Sequence, residues 1–177
     1  PDLLVMTATP IPRTAAMTVY GDLDVSILNE LPEGRIPVET RRVADTPELW
    51  KEVKAQILEG RQVFIVCPLI DESENIDTTS AEVTYHRLND DELREMSVGL
   101  LHGRMHPSEK QNVMDSFRNG ELNALVSTTV IEVGVNIPNA TAMVILGAER
   151  FGIAQLHQLR AVSYTHLRCR RHVPWRW

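Results

Sequence analysis

Four short segments of this sequence follow predicted strands, and three of them combine hydroxyl, glycine or basic residues in ways that suit contact with phosphate groups. The first segment ends an apolar run and contains Thr7, Ala8, Thr9 and Arg13. Threonine hydroxyls at the end of a strand can donate to or accept from a phosphate or a catalytic carboxylate. Taken alone, these residues also fit a capped turn, so the segment does not decide the function by itself.

The other three segments also follow predicted strands. Pro68 leads into an acidic loop at 71–74, which on its own is a solvated surface loop. Residues 102–104 read His102-Gly103-Arg104, where glycine permits close approach of a backbone N–H and arginine adds charge. The fourth segment, 127–138, begins with Ser127 and Thr128, and its hydroxyls and later glycine are typical of a loop that contacts phosphate.

Several kinds of site are excluded by what the sequence lacks. It has no Gly-x-x-x-x-Gly-Lys-Ser/Thr loop for a nucleoside triphosphate, and we assign no magnesium-binding acidic box. The six histidines and two cysteines have no metal-ligand spacing, so no metal site is predicted. With no apolar run near the roughly 20 residues that cross a bilayer, we expect a reduced, cytoplasmic protein without a membrane partner.

The composition is that of a soluble domain, 43% hydrophobic and 24% charged over 177 residues. A net charge of -6 argues weakly against a simple basic clamp for nucleic acid. Residues 161–177 differ from the rest because they contain four arginines and no acid.

The elements that must position these segments alternate between short apolar runs and amphipathic stretches. Strands are predicted at 38–43, 63–66, 98–101, 122–126 and 141–146, and helices at 13–20, 46–60, 80–88 and 107–119. This alternation predicts an α/β fold with a parallel sheet from residue 37 onward. Each of the four segments would then lie at the carboxyl end of a strand, where parallel α/β sheets place their functional residues.

In this order the segments resemble the motifs of superfamily 2 helicases, and of the RecG family in particular. LVMTATPIPRT resembles motif III, YGDLDVSILNELPEGR the interdomain linker, VCPLIDESE motif IV, and LLHGRM the loop after it. The long run from LVSTTVIEVGV to AQLHQLR resembles motif V running into motif VI. The transcription-repair coupling factor shares TATPIPRT and is the nearest alternative, but residues 20–35 favour RecG.

The resemblance implies a RecA-like, P-loop NTPase-type fold and a division of the chain. Residues 1–36 would end a first RecA-like domain and form the linker, 37–160 would be the second domain, truncated in motif VI, and 161–177 a non-native tail. The implied coupling residues are Thr7, Ala8, Thr9 and Arg13. The implied nucleotide-binding residues are Gly134, Asn136 (where the family usually has Asp) and Gln158. The implied DNA-binding residues are Pro68, His102, Gly103, Arg104 and Thr128.

Motif VI then departs from the family pattern. The family continues QLRGRVGR, whereas this chain has Ala161 after Arg160, and Val162 and Thr165 at the positions expected for two arginine fingers. An arginine finger contributes about 10³–10⁵ in rate in related phosphoryl-transfer enzymes. We therefore expect no complete catalytic set, and a tail that is frame-shifted, vector-derived or, alternatively, divergent.

The resulting hypothesis is a piece of an ATP- and Mg²⁺-dependent DNA helicase acting on branched DNA, such as replication forks and Holliday junctions. It would need a first RecA-like domain and an N-terminal wedge domain as partners, would bind no cofactor alone, and would be inactive alone. The alternative is a non-catalytic α/β module that binds nucleic acid or a protein.

Overall fold

The computed structural model describes residues 38–68, 77–128 and 137–164. Within them four parallel strands form one sheet in the order β2-β3-β1-β4. The strands are β1 (Gln62–Val66), β2 (Val98–Leu101), β3 (Ala124–Ser127) and β4 (Ala140–Ile145). The helices are α1 (Pro47–Leu58), α2 (Asp77–Arg87), α3 (Pro107–Arg118) and α4 (Ile153–Tyr164). The predicted α/β fold with a parallel sheet is confirmed.

Helices cover both faces of the sheet, and this explains why its central strands are continuously apolar. Successive residues of β1 alternate between the two faces, so that Val63 and Ile65 pack against α1 and α2. Phe64 and Val66 enter the opposite core, where Phe64 meets Phe117 of α3 edge to face at 4.9 Å between ring centroids. Both cores are therefore organised around β1 and β3.

The helix ends follow local sequence signals. Thr46 precedes Pro47 at the start of α1, and after that helix Gly60 adopts a φ of 85°, a conformation that glycine adopts without strain. At the start of α3, His106 closes a capping box that sequence analysis missed. Its backbone N–H donates to Glu109 Oε2 at 3.0 Å, and its ring accepts from the Ser108 N–H.

A π-helical turn, Leu88–Glu92, follows α2 where sequence analysis predicted only the end of a helix. The Leu93 N–H donates to the Leu88 carbonyl at 2.7 Å, five residues back. This wider turn buries both leucine side chains completely. Leu88 and Leu93 both belong to the core on the α1 and α2 side of the sheet.

The strand predicted at 38–43 is wrong. These residues have no regular secondary structure, are largely exposed and pair with none of the four described strands. Arg41 instead forms an ion pair with Glu52 of α1. A segment with alternating apolar and polar residues forms a strand only where a neighbouring strand can pair with its backbone N–H and C=O groups. The predicted helix at 13–20 and all of residues 1–37 lie outside the described residues.

Candidate phosphate-binding edge

Three adjacent strands, β2, β3 and β1, end in register at one edge of the sheet. Leu101 of β2 is aligned with Ser127 of β3, which is aligned with Val66 of β1. Hydrogen bonds continue one residue further, from the Thr128 N–H to the Leu101 carbonyl at 3.2 Å, and from the Cys67 N–H to the Ser127 carbonyl at 2.8 Å. We call the residues that follow these strand ends the carboxyl edge: Pro68, His102, Gly103, Arg104 and Thr128.

The carboxyl edge has an exposed part, which we call the crest and which consists of Gly103 and Arg104, and a buried part, the floor, which contains Pro68 and Thr128. Gly103 and Arg104 are exposed, whereas Pro68 is buried and Thr128 is only 2% exposed. A ligand approaching from solvent would therefore first contact the peptide groups of Gly103 and Arg104 and the guanidinium of Arg104. A direct contact by the Thr128 side chain remains a prediction, because the residues after it, 129–136, lie outside the described residues.

His102 connects the crest to α2. Its Nε2 lies 3.9 Å from Glu82 Oε1, and its side chain is 14% exposed. The other ring nitrogen, Nδ1, is buried and has no hydrogen-bond partner among the described residues. A buried polar atom without a partner costs about 1–3 kcal/mol. A water molecule or a ligand group that reached Nδ1 would therefore be stabilised there.

The loop between β2 and α3 is held by backbone and side-chain hydrogen bonds. The Met105 N–H donates to the His102 carbonyl at 3.3 Å, and Lys110 Nζ donates to the Gly103 carbonyl at 2.7 Å. Together with the His106 cap, these bonds fix both ends of the crest. Sequence analysis missed Lys110 and Glu82 because neither belongs to a motif and both reach the loop from helices.

Cys67 lies in the buried floor beside this edge. Burial raises the pKa of its thiol, although a hydrogen bond to Thr84 and the charge of Arg87 oppose the rise. The thiol therefore stays protonated at neutral pH and is a poor nucleophile. Within residues 38–68, 77–128 and 137–164, no group of three potential metal ligands comes together.

The residues predicted for nucleotide binding and coupling are only partly described. Gln158 is exposed on α4, which packs against the sheet through Leu159. Gly134 and Asn136 lie outside the described residues, as do Thr7, Ala8, Thr9 and Arg13. The backbone of α4 continues through position 162 to Tyr164, and Thr165 is again outside. The structure thus assembles the predicted DNA-binding residues at one edge and leaves most of the others undescribed.

A search of the described helices finds none that is both long and apolar enough to cross a membrane.

Comparison with known proteins gives matches over most of the chain. The family described as helicase conserved C-terminal domain matches residues 46–168. The ATP-dependent DNA helicase RecG of Escherichia coli is 56% identical over 163 residues, which is 90% of this chain and 23% of that protein. RecG of Bacillus subtilis is 50% identical over 162 residues, with 90% and 24% covered.

The chain thus spans about a quarter of the length of these curated relatives. The matched region includes the whole parallel sheet and the carboxyl edge. The predicted RecA-like fold of a second superfamily 2 motor domain is confirmed by this match and by the sheet with helices on both faces. The chain belongs to the family of helicase conserved C-terminal domains, and its sequence is of the RecG type.

Proposed function

We propose that this chain supplies the second motor domain of an ATP-dependent DNA helicase that acts on branched DNA in recombination and repair. The observation that carries this proposal is the convergence of five predicted DNA-binding residues on the carboxyl edge, with an exposed arginine at its crest. The names of the relatives support the reaction, since they are ATP-dependent DNA helicases.

The carboxyl edge would bind the DNA backbone and would not read base sequence. Gly103 offers a peptide group with open space around it, because a methyl group added at its Cα would meet nothing within 4 Å. Arg104 offers a guanidinium that can donate two parallel hydrogen bonds to a phosphate. Contacts of this kind fix the register of a protein on DNA without sequence information, as a translocating motor requires.

ATP and Mg²⁺ would be held mainly by a first RecA-like domain, because this chain has no phosphate-binding loop of the Walker type. From this chain Gly134, Asn136 and Gln158 would complete the nucleotide site, and Thr7, Ala8, Thr9 and Arg13 would couple it to DNA. The exposed amide of Gln158 fits a contact across a domain boundary because it can both donate and accept hydrogen bonds. Bound ATP would supply the free energy for translocation.

The domain division proposed from the sequence accompanies this function. Residues 1–36 would end the first motor domain and form the linker, 37–160 would be the second motor domain, and 161–177 would be foreign to the parent protein. The first motor domain and a wedge domain would be its partners, and the parent protein would act in the cytoplasm. Val162 and Thr165 would then replace two arginines of the composite ATP site.

A graft into the E. coli relative tests the helicase assignment. Residues 38–160 of this chain, exchanged for the matching segment of that RecG, should retain ATP-dependent unwinding of a synthetic fork. Extending the graft through residue 177 should reduce ATP hydrolysis by about 10³-fold or more, because it removes both arginines. A folded first graft that binds DNA but does not unwind it would contradict the assignment and favour a non-catalytic binding module.

A further inference from the structure

A hydrogen bond from α3 fixes the orientation of one peptide group at the crest of the carboxyl edge. Lys110 Nζ donates to the Gly103 carbonyl oxygen at 2.7 Å. Lys110 lies near the start of α3, behind the His106 cap that holds this helix against the loop. Its side chain is half-buried, so its position is restricted by packing as well as by the hydrogen bond.

The direction of this carbonyl determines the direction of the next N–H. The Gly103 C=O and the Arg104 N–H belong to one planar trans peptide group and point in opposite directions. Because Lys110 holds the carbonyl toward itself, the N–H of Arg104 is directed away from Lys110. No residue in the described part of the chain accepts a hydrogen bond from this N–H, and Arg104 is exposed.

We propose that Lys110 is a positioning residue for DNA binding, holding the Gly103–Arg104 peptide so that its N–H donates to a phosphodiester oxygen. This inference rests on the proposed function, and it assigns a role to a residue outside the predicted motifs. A donor fixed before the ligand arrives loses little freedom on binding. The ammonium group also polarises the peptide, because it donates a charge-assisted hydrogen bond to the carbonyl, and this strengthens the N–H as a donor.

The alternative is that Lys110 contacts DNA directly as one more cation. An ammonium has three donors, so a bond to the Gly103 carbonyl leaves two for other partners. The two roles differ in salt dependence. Removing a direct phosphate contact reduces the magnitude of the negative slope of log K against log salt by about one, whereas removing a positioning residue weakens binding similarly at all salt concentrations.

The test uses the 177-residue chain and a fluorescein-labelled synthetic fork, with anisotropy measured from about 50 to about 200 mM salt. We compare Lys110→Gln and Lys110→Arg with Arg104→Gln and with a control, Lys54→Gln. Lys54, like Lys110, carries one positive charge. It forms an ion pair with Glu95, which lies just before β2, toward the opposite edge of the sheet. Amide spectra with ¹⁵N report on the Arg104 N–H in each protein.

Lys110→Gln should weaken binding about tenfold at each salt concentration with little change in slope, because its side chain is one bond shorter and donates no charge-assisted hydrogen bond. Lys110→Arg should bind within about twofold of the parent, since a guanidinium can donate to the same carbonyl. Lys54→Gln should match the parent. The Arg104 amide resonance should shift when DNA binds to the parent and should not shift in Lys110→Gln.

Four results would overturn the inference, and they separate it from the proposed function. If Arg104→Gln weakens binding while Lys110→Gln does not, the carboxyl edge binds DNA and the positioning role is wrong. If the magnitude of the salt slope falls by about one in Lys110→Gln, Lys110 contacts DNA directly. If neither Arg104→Gln nor Lys110→Gln changes DNA binding, both proposals fail. Thermal melting checks that each variant is folded. If Lys110→Arg melts at the same temperature as the parent but binds DNA tenfold more weakly, the positioning role is also wrong.

Discussion

The side-chain amide of Gln62 donates to the Leu122 carbonyl at 2.7 Å, which joins the start of β1 to the turn before β3. The same amide nitrogen also donates to the Phe117 carbonyl at the end of α3. Gln62 is buried in an otherwise apolar strand, and its amide nitrogen is satisfied by these two carbonyl groups. A polar residue in β1 therefore links three elements of the fold.

Replacing Gln62 tests this link. Gln62→Ala should destabilise the chain by about 2 kcal/mol, because it removes two hydrogen bonds, one of them to the Leu122 carbonyl. The measurement is the free energy of unfolding from urea denaturation. Gln111→Ala is the matched control, since Gln111 is exposed on α3 and bonds only to Asp115 in the described region. Equal stabilities of the two variants would contradict this account.

Substitutions at two glycines separate an effect on folding stability from an effect on DNA binding. A Cβ at Gly99 would lie 2.7 Å from Leu122 Cδ1 and 3.2 Å from Leu125 Cδ1 in the core. Gly99→Ala should therefore destabilise the chain by about 1–3 kcal/mol. Gly103→Ala should leave the melting temperature unchanged and weaken DNA binding, because its methyl group would point into the space that a phosphate enters. The idea fails if Gly103→Ala binds DNA as the parent does.

The first turn of α1 predicts a dependence of stability on pH. Backbone N–H groups there lower the pKa of Glu48, with help from Thr46 and Lys51. A carboxyl whose pKa is lower in the folded state stabilises the fold above its unfolded pKa, and this stabilisation is lost as pH falls through the folded pKa. Glu48→Gln should thus be less stable than the parent near neutral pH.

The difference between the parent and Glu48→Gln should disappear in acid, once the folded-state carboxyl is protonated. Urea denaturation at a series of pH values measures it. Glu121→Gln is the control, because Glu121 is an exposed acid outside the helices. A stability difference that persists unchanged below the folded pKa would show that Glu48 acts through packing and not through its charge.

The core of the fold is predictable from the sequence because its signals are local. The β-branched run of β1 and the Pro47 and Pro107 helix starts lie within a few residues of the structures that they specify. The carboxyl edge follows as well, because parallel strands bring their carboxyl ends together. The prediction of a strand at 38–43 is wrong because a strand needs a neighbouring strand to pair with, and an alternating pattern does not reveal whether one is present.

The contacts that organise the site could not be predicted in the same way. The Lys110–Gly103 bond and the Glu82–His102 contact join residues that only the packing of α2 and α3 brings together. The His106 cap escaped notice because histidine is not among the preferred N-cap residues. Residues in motifs are visible in a sequence, whereas the side chains that support them become visible only in the structure.

The central claim, that the carboxyl edge binds the DNA backbone, is tested most directly by the salt dependence of DNA binding. Arg104→Gln is compared with Arg94→Gln, which removes an equally exposed arginine just before β2 at the opposite edge. We predict that Arg104→Gln weakens binding to a labelled fork and reduces the magnitude of the negative slope of log K against log salt by about one, while Arg94→Gln changes neither. Equal slopes and affinities for the two variants would contradict the claim.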